Sequence, residues 1–436
     1  MQRIRKASAM QVQIAYGKGH LNVELPDGRT TVIEPTHRDG LPDERAAMIE
    51  ALDSPIGGNK LSHEIAGGKT ICIVFTDITR ATPNDRIIPW LLDYLHKHGV
   101  KREAITLLNS TGTHRGNTPS ELDAMLTPEV ARGYRIINHD CHATADMIAF
   151  GMTREGKSAL INKYLVNADV RIITGFIEPH FFAGFSGGPK GIMPGVAGLE
   201  TTMSNHGAKN IGDPNSVFGV LDENPIWCEM RDIALRIGQS FLLNVTLNEK
   251  RAITGIFAGD LLKAHRAGCE FVRSTAMQKV DALFDIVITS NSGYPLDMNL
   301  YQGVKGMAAA ARILKPGGLL ILACECSEGV PAGSPFDKLL RDAMDSDDIL
   351  QKLAQPGFVR AEQWQAQIQS LISKRARVLL HSLLPEADVK KAHLSACADI
   401  GAAVKEELRR AGDAARVAVL PQGPLTVAYV DKKAEV

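Results

Sequence analysis

The chain has 436 residues, 44% hydrophobic and 22% charged, a composition typical of folded domains that excludes extended disorder. At roughly 150 residues per domain, this length predicts two or three domains. Lys plus Arg and Asp plus Glu both number 49, so the formal net charge is zero. This balance lacks the basic excess that binding to nucleic acid or an anionic membrane requires.

The cysteines and the hydropathy pattern indicate the compartment. Seven cysteines are scattered without a C-x-x-C pair, which favours reduced core residues. Residues 1–13 lack the apolar core of a secretion signal, and no run reaches the roughly 18 apolar residues of a membrane span. We therefore expect a cytoplasmic protein with neither a nucleic-acid nor a membrane partner.

In chain order, the first half alternates short β-branched runs with segments of helical length. Thr118-Pro119 predicts a helix start with a capping hydroxyl before proline, and Glu121 completes a capping box. Thr82-Pro83 predicts another start of the same kind. The alternation predicts βαβ units and a mostly parallel sheet. The predicted strands are 70–75, 104–109, 134–138 and 170–175.

A second series of strands follows a helical stretch predicted over 261–280. We therefore predict an α/β fold of two doubly wound, Rossmann-like domains, with the active site in the interdomain cleft. Residues 1–275 would form the domain with the cofactor site, and residues 276–415 would contribute substrate-binding residues. Residues 416–436 are predicted as a C-terminal tail, whose strand at 423–430 either stays in the second domain or returns to the first. The other predicted strands of this half are 284–290, 318–324, 377–383 and 416–421.

Polar side chains follow four of the predicted strands. Ligands of open α/β sheets bind beyond the carboxyl ends of the strands, so this position predicts a site. Each residue taken singly also fits a turn or a helix cap, but their recurrence favours one shared crevice. The residues are Asp77, Thr79 and Arg80; Thr113, His114 and Arg115; Glu178 and His180; and Tyr301, Gln302 and Lys305.

Residues 179–206 form a glycine-rich segment that also holds Lys190 and His206. Its G-x-S-x-G match at 184–188 does not fit a serine hydrolase, because Pro189 and Pro194 forbid the helix that must follow directly. No P-loop and no dinucleotide-binding G-x-G-x-x-G is found either. A lysine and histidines around glycines favour a phosphorylated cofactor with a transition metal.

Five separate blocks resemble the lactate racemase family, whose enzymes use a nickel-pincer nucleotide. One departure is Ala81, which stands where the family usually has proline. The blocks are D-I-T-R at 77–80, G-T-H-R at 112–115, P-H-F-F-A-G-F-S-G-G-P-K at 179–190, N-H at 205–206 and G-Y-P-L-D-M-N-L-Y-Q-G-V-K-G at 293–306.

The resemblance implies a covalent nickel cofactor. Lys190 would carry pyridinium-3,5-bisthiocarboxylate mononucleotide through a thioamide, and His206 would ligate nickel together with two sulfurs and a ring carbon of the pincer. His114 and His180 would be the paired acid/base residues. The remaining implied contacts are Asp77, Ile78, Thr79 and Arg80 to the cofactor, and Arg80, Tyr301, Gln302 and Lys305 to the substrate, with Trp364 as a weaker match to a tryptophan near the cofactor.

The resemblance thus predicts a racemase or epimerase that inverts C2 of a 2-hydroxycarboxylic acid by reversible hydride transfer to the nickel-pincer nucleotide. Cofactor-synthesis enzymes would be transient partners. The substrate stays open among lactate, longer 2-hydroxyacids, dicarboxylates and sugar acids. Phe181, Phe182 and Tyr301 either favour an apolar substrate tail or serve packing. The alternatives are an NAD-dependent 2-hydroxyacid dehydrogenase and a non-catalytic nickel or nucleotide carrier.

Overall fold

The computed structural model describes residues 9–430. Its strands are β1 (Ala9–Tyr16), β2 (Gly19–Pro26), β3 (Thr30–Val32), β4 (Ile71–Thr76), β5 (Ile105–Ser110), β6 (Arg135–Asn138), β7 (Met147–Met152), β8 (Ser158–Asn162), β9 (Val170–Phe176), β10 (Pro179–His180), β11 (Gly184–Phe185), β12 (Phe241–Leu247), β13 (Ile253–Asp260), β14 (Met277–Val280), β15 (Phe284–Ser290), β16 (Leu314–Ala323), β17 (Arg377–His381), β18 (Ser395–Ala396), β19 (Val417–Leu420) and β20 (Val427–Val430).

The helices in the same range are α1 (Glu44–Asp53), α2 (Leu61–Glu64), α3 (Asn84–Lys97), α4 (Pro119–Leu126), α5 (Pro128–Gly133), α6 (Lys163–Val166), α7 (Leu199–Asn205), α8 (Ala208–Ile211), α9 (Pro225–Arg236), α10 (Leu261–Ala276), α11 (Leu300–Ala311), α12 (Pro335–Arg341), α13 (Ser346–Leu353), α14 (Gln363–Arg375), α15 (Glu386–Lys391) and α16 (Ile400–Ala411). Within residues 9–430, no helix is both long and apolar enough to cross a membrane.

The described residues form two compact units. The N-terminal unit comprises residues 37–206 and 213–273, and the C-terminal unit comprises residues 9–36, 207–212 and 274–430. The sequence analysis assigned residues 1–275 to one domain, whereas residues 9–36 pack with the C-terminal half. The physical reason is that β3 pairs in parallel with β19, and the β1–β2 hairpin buries Val12 and Ile14 in the core of that unit.

The N-terminal unit is built on a six-stranded sheet in the order β13-β12-β9-β4-β5-β6. All its pairs are parallel except β12 with β13, in agreement with the predicted βαβ units. Helix α3 buries one apolar face against this sheet, because its apolar residues recur at helical spacing. That face consists of Ile87, Ile88, Leu91, Leu92 and Leu95.

One of the two predicted helix caps is confirmed and the other is wrong. Glu121 N donates to Thr118 Oγ1 at 3.3 Å and Thr118 N donates to Glu121 Oε2 at 2.8 Å, which is the predicted capping box. Helix α3 instead begins at Asn84, with Pro83 as its N-cap residue. Thr82 Oγ1 is therefore one residue too early to cap the helix, and it is buried without a hydrogen-bond partner.

The C-terminal unit contains a second six-stranded sheet, in the order β18-β17-β16-β15-β19-β3, whose pairs are all parallel. The run predicted at 284–290 is strand β15. Residues 277–280 were predicted as helical but form β14, which pairs in parallel with β20. This pairing keeps strand 427–430 in the C-terminal unit.

Candidate active site

Three neighbouring strands of the N-terminal unit end at the same edge of the sheet. Strand β4 pairs with both β5 and β9, and all three run in parallel. The residues that follow their carboxyl ends are Asp77 after β4, His114 after β5 and His180 after β9.

A buried carboxylate orients the first histidine. His114 Nδ1 lies 2.6 Å from Asp77 Oδ2, and Thr79 Oγ1 donates to Asp77 Oδ1 at 2.7 Å. Burial favours a higher pKa for Asp77, but the hydrogen bond and charge of His114, together with the charge of Arg80, outweigh it and hold that pKa below its usual range. In the neutral form of His114, the ionised carboxylate accepts the Nδ1 proton and Nε2 keeps its lone pair.

His114 is partly exposed, whereas Asp77, which orients it, is buried. The His114 side chain is 44% exposed, whereas that of Asp77 is 3% exposed. Arg115, the next residue, makes a two-pronged salt bridge to Glu121 at 2.6 and 2.8 Å. Because Glu121 also caps α4, Arg115 fastens this loop to the helix, and the imidazole of His114 is presented from a fixed loop.

His180 sits on a short hairpin formed by β10 and β11. The hairpin requires Gly184, because its φ is +79° and a Cβ there would lie 2.1 Å from Val220 O. Ala183 N donates to His180 Nδ1 at 3.2 Å, so the proton of the neutral ring lies on Nε2.

Phe181 and Phe182 are packing residues. Both are buried, and the Phe182 ring contacts His180 at 4.6 Å and His206 at 4.9 Å between ring centroids, edge to face in each case. One phenyl ring therefore contacts both imidazoles edge to face.

The glycine-rich loop carries Lys190 on a 3-10 turn over Gly188–Gly191. Ser186 Oγ accepts from Glu178 N and donates to Phe176 O, both at 2.9 Å. Its hydroxyl is thus committed to backbone groups, and the next helix starts only at Leu199. Both facts agree with the exclusion of a serine hydrolase.

Two residues that the sequence analysis missed hold this loop. His265 Nε2 donates to Ser186 O at 2.9 Å, and Gly188 N donates to Asn244 Oδ1 at 2.8 Å. A Cβ on Gly188 would lie 2.4 Å from the His265 ring, so glycine is required for this close approach. The sequence did offer one signal for such a contact, since Asn244 is a polar residue within the apolar run of β12.

His206 has the properties of a neutral metal ligand. It is 4% exposed and follows α7 as its C-cap residue. Burial and the nearby Lys190 ammonium lower the pKa of His206 to about 3, so the ring is uncharged at neutral pH. Its Nδ1 lies 2.9 Å from Asn205 Oδ1.

These donors fit the cofactor that the sequence implies. A neutral imidazole suits nickel, and the Lys190 amine lies close enough to His206 to act on its charge. His206 is buried and Lys190 is half-buried, and both lie in the N-terminal unit. Within residues 9–430, no group of three or more His, Cys, Asp and Glu side chains is arranged to hold a metal ion.

The predicted substrate residues Tyr301, Gln302 and Lys305 lie in the first turns of α11, in the C-terminal unit. All three are half-buried, and Tyr301 and Lys305, four positions apart, share one face of the helix. Asn299 caps the helix by accepting from Gln302 N at 3.1 Å. Gln365, the neighbour of Trp364 on α14, donates to Tyr301 O at 2.5 Å and fastens this turn.

Comparison with known protein families identifies both halves of the chain. A model of the lactate racemase N-terminal domain matches residues 16–219, and a model of the lactate racemase C-terminal domain matches residues 278–428. The curated lactate racemase of Thermoanaerobacterium thermosaccharolyticum is 36% identical over 424 residues, covering 94% of this chain and 97% of the relative. That of Lactiplantibacillus plantarum is 34% identical over 421 residues, covering 94% and 98%.

Solved structures agree with the predicted α/β class. The lactate racemase apoprotein of Thermoanaerobacterium thermosaccharolyticum matches with a TM-score of 0.90 at 34% identity, covering 97% of this chain and all of that chain. A Thermotoga maritima protein shares the fold with a TM-score of 0.66 at 18% identity, covering 91% of this chain. The chain therefore belongs to the lactate racemase family and is an isomerase of the racemase type.

Proposed function

We propose that this enzyme inverts C2 of lactate or a lactate-like 2-hydroxycarboxylic acid, using a nickel-pincer nucleotide attached through Lys190. The observation that carries the proposal is the contact between buried Asp77 and His114, in the unit that also brings Lys190 close to the neutral ring of His206. The names of the curated relatives supply the choice of lactate. The cofactor would come from synthesis enzymes that bind this chain transiently in the cytoplasm.

The chemistry of the substrate explains the need for a cofactor. The C2 hydrogen of a 2-hydroxycarboxylate is far too weakly acidic for a side-chain base poised near neutral pH. When bound, a nickel-pincer nucleotide supplies a reversible hydride acceptor for that hydrogen, which avoids a carbanion. The protein must then hold the substrate and move the hydroxyl proton.

The two histidines are proposed to move that proton. Nε2 of His114 takes the hydroxyl proton from one enantiomer, because Asp77 already holds the Nδ1 proton. For the other enantiomer His180 is the proposed base, a role that requires its ring to leave the Ala183 N contact so that Nδ1 carries the proton and Nε2 accepts. In each direction the histidine that does not act as base starts as an imidazolium and re-protonates the product oxygen. Inversion requires an acid/base group for each enantiomer, and two histidines meet that requirement.

The other proposed contacts orient the substrate and the cofactor. Arg80 and Lys305 are cations suited to binding the substrate carboxylate through charge-assisted hydrogen bonds, with Tyr301 and Gln302 beside Lys305 on α11. Asp77, Ile78, Thr79 and Arg80 form the turn after β4 that we assign to the cofactor. Lys190 and His206 would hold it covalently and through nickel.

The substrate assignment is tested with cofactor-loaded enzyme and a panel of single-enantiomer acids. The panel contains D- and L-lactate, a longer 2-hydroxyacid, a hydroxydicarboxylate and a sugar acid, and chiral chromatography follows the product. We expect the lactate-sized acids to invert fastest and to reach equal amounts of both enantiomers from either side. Cofactor-free protein is the control. Failure to invert any acid, or net oxidation that depends on added NAD, would contradict the proposal.

A further inference from the structure

Two buried asparagine–histidine pairs in the N-terminal unit differ in which end of the asparagine amide faces the histidine. In one pair the amide oxygen faces the ring nitrogen Nδ1, and in the other the amide nitrogen does. From them we propose that Asn205, oriented by Glu229, is a positioning residue that keeps the ring proton of His206 on Nδ1 and so leaves the Nε2 lone pair to the metal. The proposal rests on the proposed function only in naming nickel as what His206 binds.

The orientation of the Asn205 amide is fixed by its nitrogen. Asn205 Nδ2 donates to Ile226 O at 3.1 Å and to Glu229 Oε2 at 2.8 Å, and both partners are pure acceptors. The amide oxygen must therefore face His206 Nδ1, at 2.9 Å. Because an amide oxygen only accepts, His206 Nδ1 must donate, and the neutral ring carries its proton there.

Glu229 is itself held so that it cannot turn away. It is 2% exposed and lies in the middle of α9. Its second oxygen, Oε1, accepts from Arg154 N at 2.5 Å. Burying a carboxylate costs free energy that its hydrogen bonds must offset. Here both oxygens of Glu229 accept hydrogen bonds, and one of them orients the Asn205 amide.

The second pair shows that this protein also contains the opposite amide orientation. Asn162 turns its other end to a histidine, since its Nδ2 donates to His139 Nδ1 at 3.1 Å while its Oδ1 accepts from Tyr164 N at 3.0 Å. His139 Nε2 then donates to Ala197 O at 3.0 Å. The proton of His139 is therefore on Nε2, the opposite of His206.

The consequence concerns metal binding directly. A histidine ligates a metal through an unprotonated ring nitrogen, and the partner of the other nitrogen fixes which one that is. If the Asn205 amide were reversed, its Nδ2 would face His206 Nδ1 and the proton would move to Nε2. Loss of such an outer partner typically weakens metal affinity about 10–100-fold.

The wild-type test reads the tautomers directly. Full-length cofactor-free protein is labelled with ¹⁵N-histidine, and long-range ¹H–¹⁵N spectra assign each ring, with His206→Gln and His139→Gln identifying the two signals. We expect a protonated-type Nδ1 shift and an unprotonated-type Nε2 shift for His206, and the reverse for His139. A proton on Nε2 of His206 would overturn the proposal, whether or not nickel binds.

Two variants test the role of Glu229. In Glu229→Gln, the Arg154 N–H keeps the remaining oxygen, so the new amide nitrogen faces Asn205 Nδ2. This contact between two donors replaces the charged hydrogen bond at 2.8 Å, and it should reverse the amide against the longer bond to Ile226 O at 3.1 Å. We expect the His206 proton to move to Nε2, and nickel affinity in the cofactor-loaded protein to fall about 10–100-fold by metal analysis. The double variant Asn205→Asp/Glu229→Gln again presents an acceptor to His206 and should restore the Nδ1 proton.

The control and the remaining outcomes separate this proposal from the proposed function. Glu200→Gln, a surface change on neighbouring α7 whose carboxylate pairs with Lys157 at 3.2 Å, should alter neither tautomer nor nickel content. An unchanged tautomer in folded Glu229→Gln, or no restoration in the folded double variant, would refute the positioning role. The expected tautomers in a wild-type protein that never takes up nickel would instead refute the proposed function alone.

Discussion

Replacing Lys190 with alanine is expected to reduce racemase activity to background while the protein stays folded. Lys190 is half-buried on a short turn, and Ser186 and Gly188 make hydrogen bonds that hold this turn. Protein produced with the cofactor-synthesis enzymes should gain a nucleotide-sized mass at Lys190 and equimolar nickel. Lys190→Ala should gain neither, as measured by peptide mass spectrometry and metal analysis.

Two further variants separate the covalent link from the positive charge. Lys190→Arg keeps a cation beside His206 but lacks the amine that forms the link, so it should be as inactive as the alanine variant. Lys157→Ala removes an exposed lysine of the same unit and should keep mass, nickel and activity. Activity surviving Lys190→Ala, or an active preparation with unmodified Lys190, would contradict the assignment.

Removal of either proposed acid/base histidine is expected to cost at least about 10²-fold in rate, the typical contribution of a positioned proton-transfer group. The equilibrium constant of a simple racemisation is unity, so kcat/KM must fall equally from both enantiomers in His114→Ala and in His180→Ala. Both variants should keep the Lys190-linked mass and nickel, unlike His206→Ala, which should lose nickel. Initial rates from each enantiomer and metal analysis of the same samples check this.

An exposed histidine of the same unit provides the matched control. His142 lies outside the three strand ends that carry the proposed site, and His142→Ala should turn over at the wild-type rate. Near-normal turnover in either His114→Ala or His180→Ala with the cofactor bound would refute the two-histidine scheme.

Local sequence signals predicted much of the fold. The β-branched run at 284–290 gave the exact extent of β15, and Thr118 with Glu121 gave the cap of α4, because both features depend on neighbours in the chain. The helix start at Asn84 and the short strand β14 were missed, since each depends on what the segment meets in space. The same reason explains why β3 joins the distant strand β19.

The residues of the candidate site also fall into two groups, those that the sequence identifies and those that only the fold reveals. His114, His180, Lys190 and His206 could be picked out because they belong to short blocks that resemble one family. The residues that support them could not be found in this way, because Asn244, Glu229 and His265 lie between 24 and 79 positions from the residues that they contact. A contact across such distances carries no local pattern, so only the folded chain reveals it.

The fate of the C2 hydrogen tests the central claim of hydride transfer most directly. Cofactor-loaded enzyme would invert a C2-deuterated single-enantiomer substrate in ordinary water, with chiral separation and mass spectrometry of the product at early conversion. Hydride chemistry predicts that the inverted product keeps most of its deuterium and that quenching during turnover traps a trace of the 2-keto acid, because the hydrogen never rests on a side chain that exchanges with water. Complete loss of the label to solvent, with no 2-keto acid detected, would contradict hydride transfer even if racemisation itself were observed.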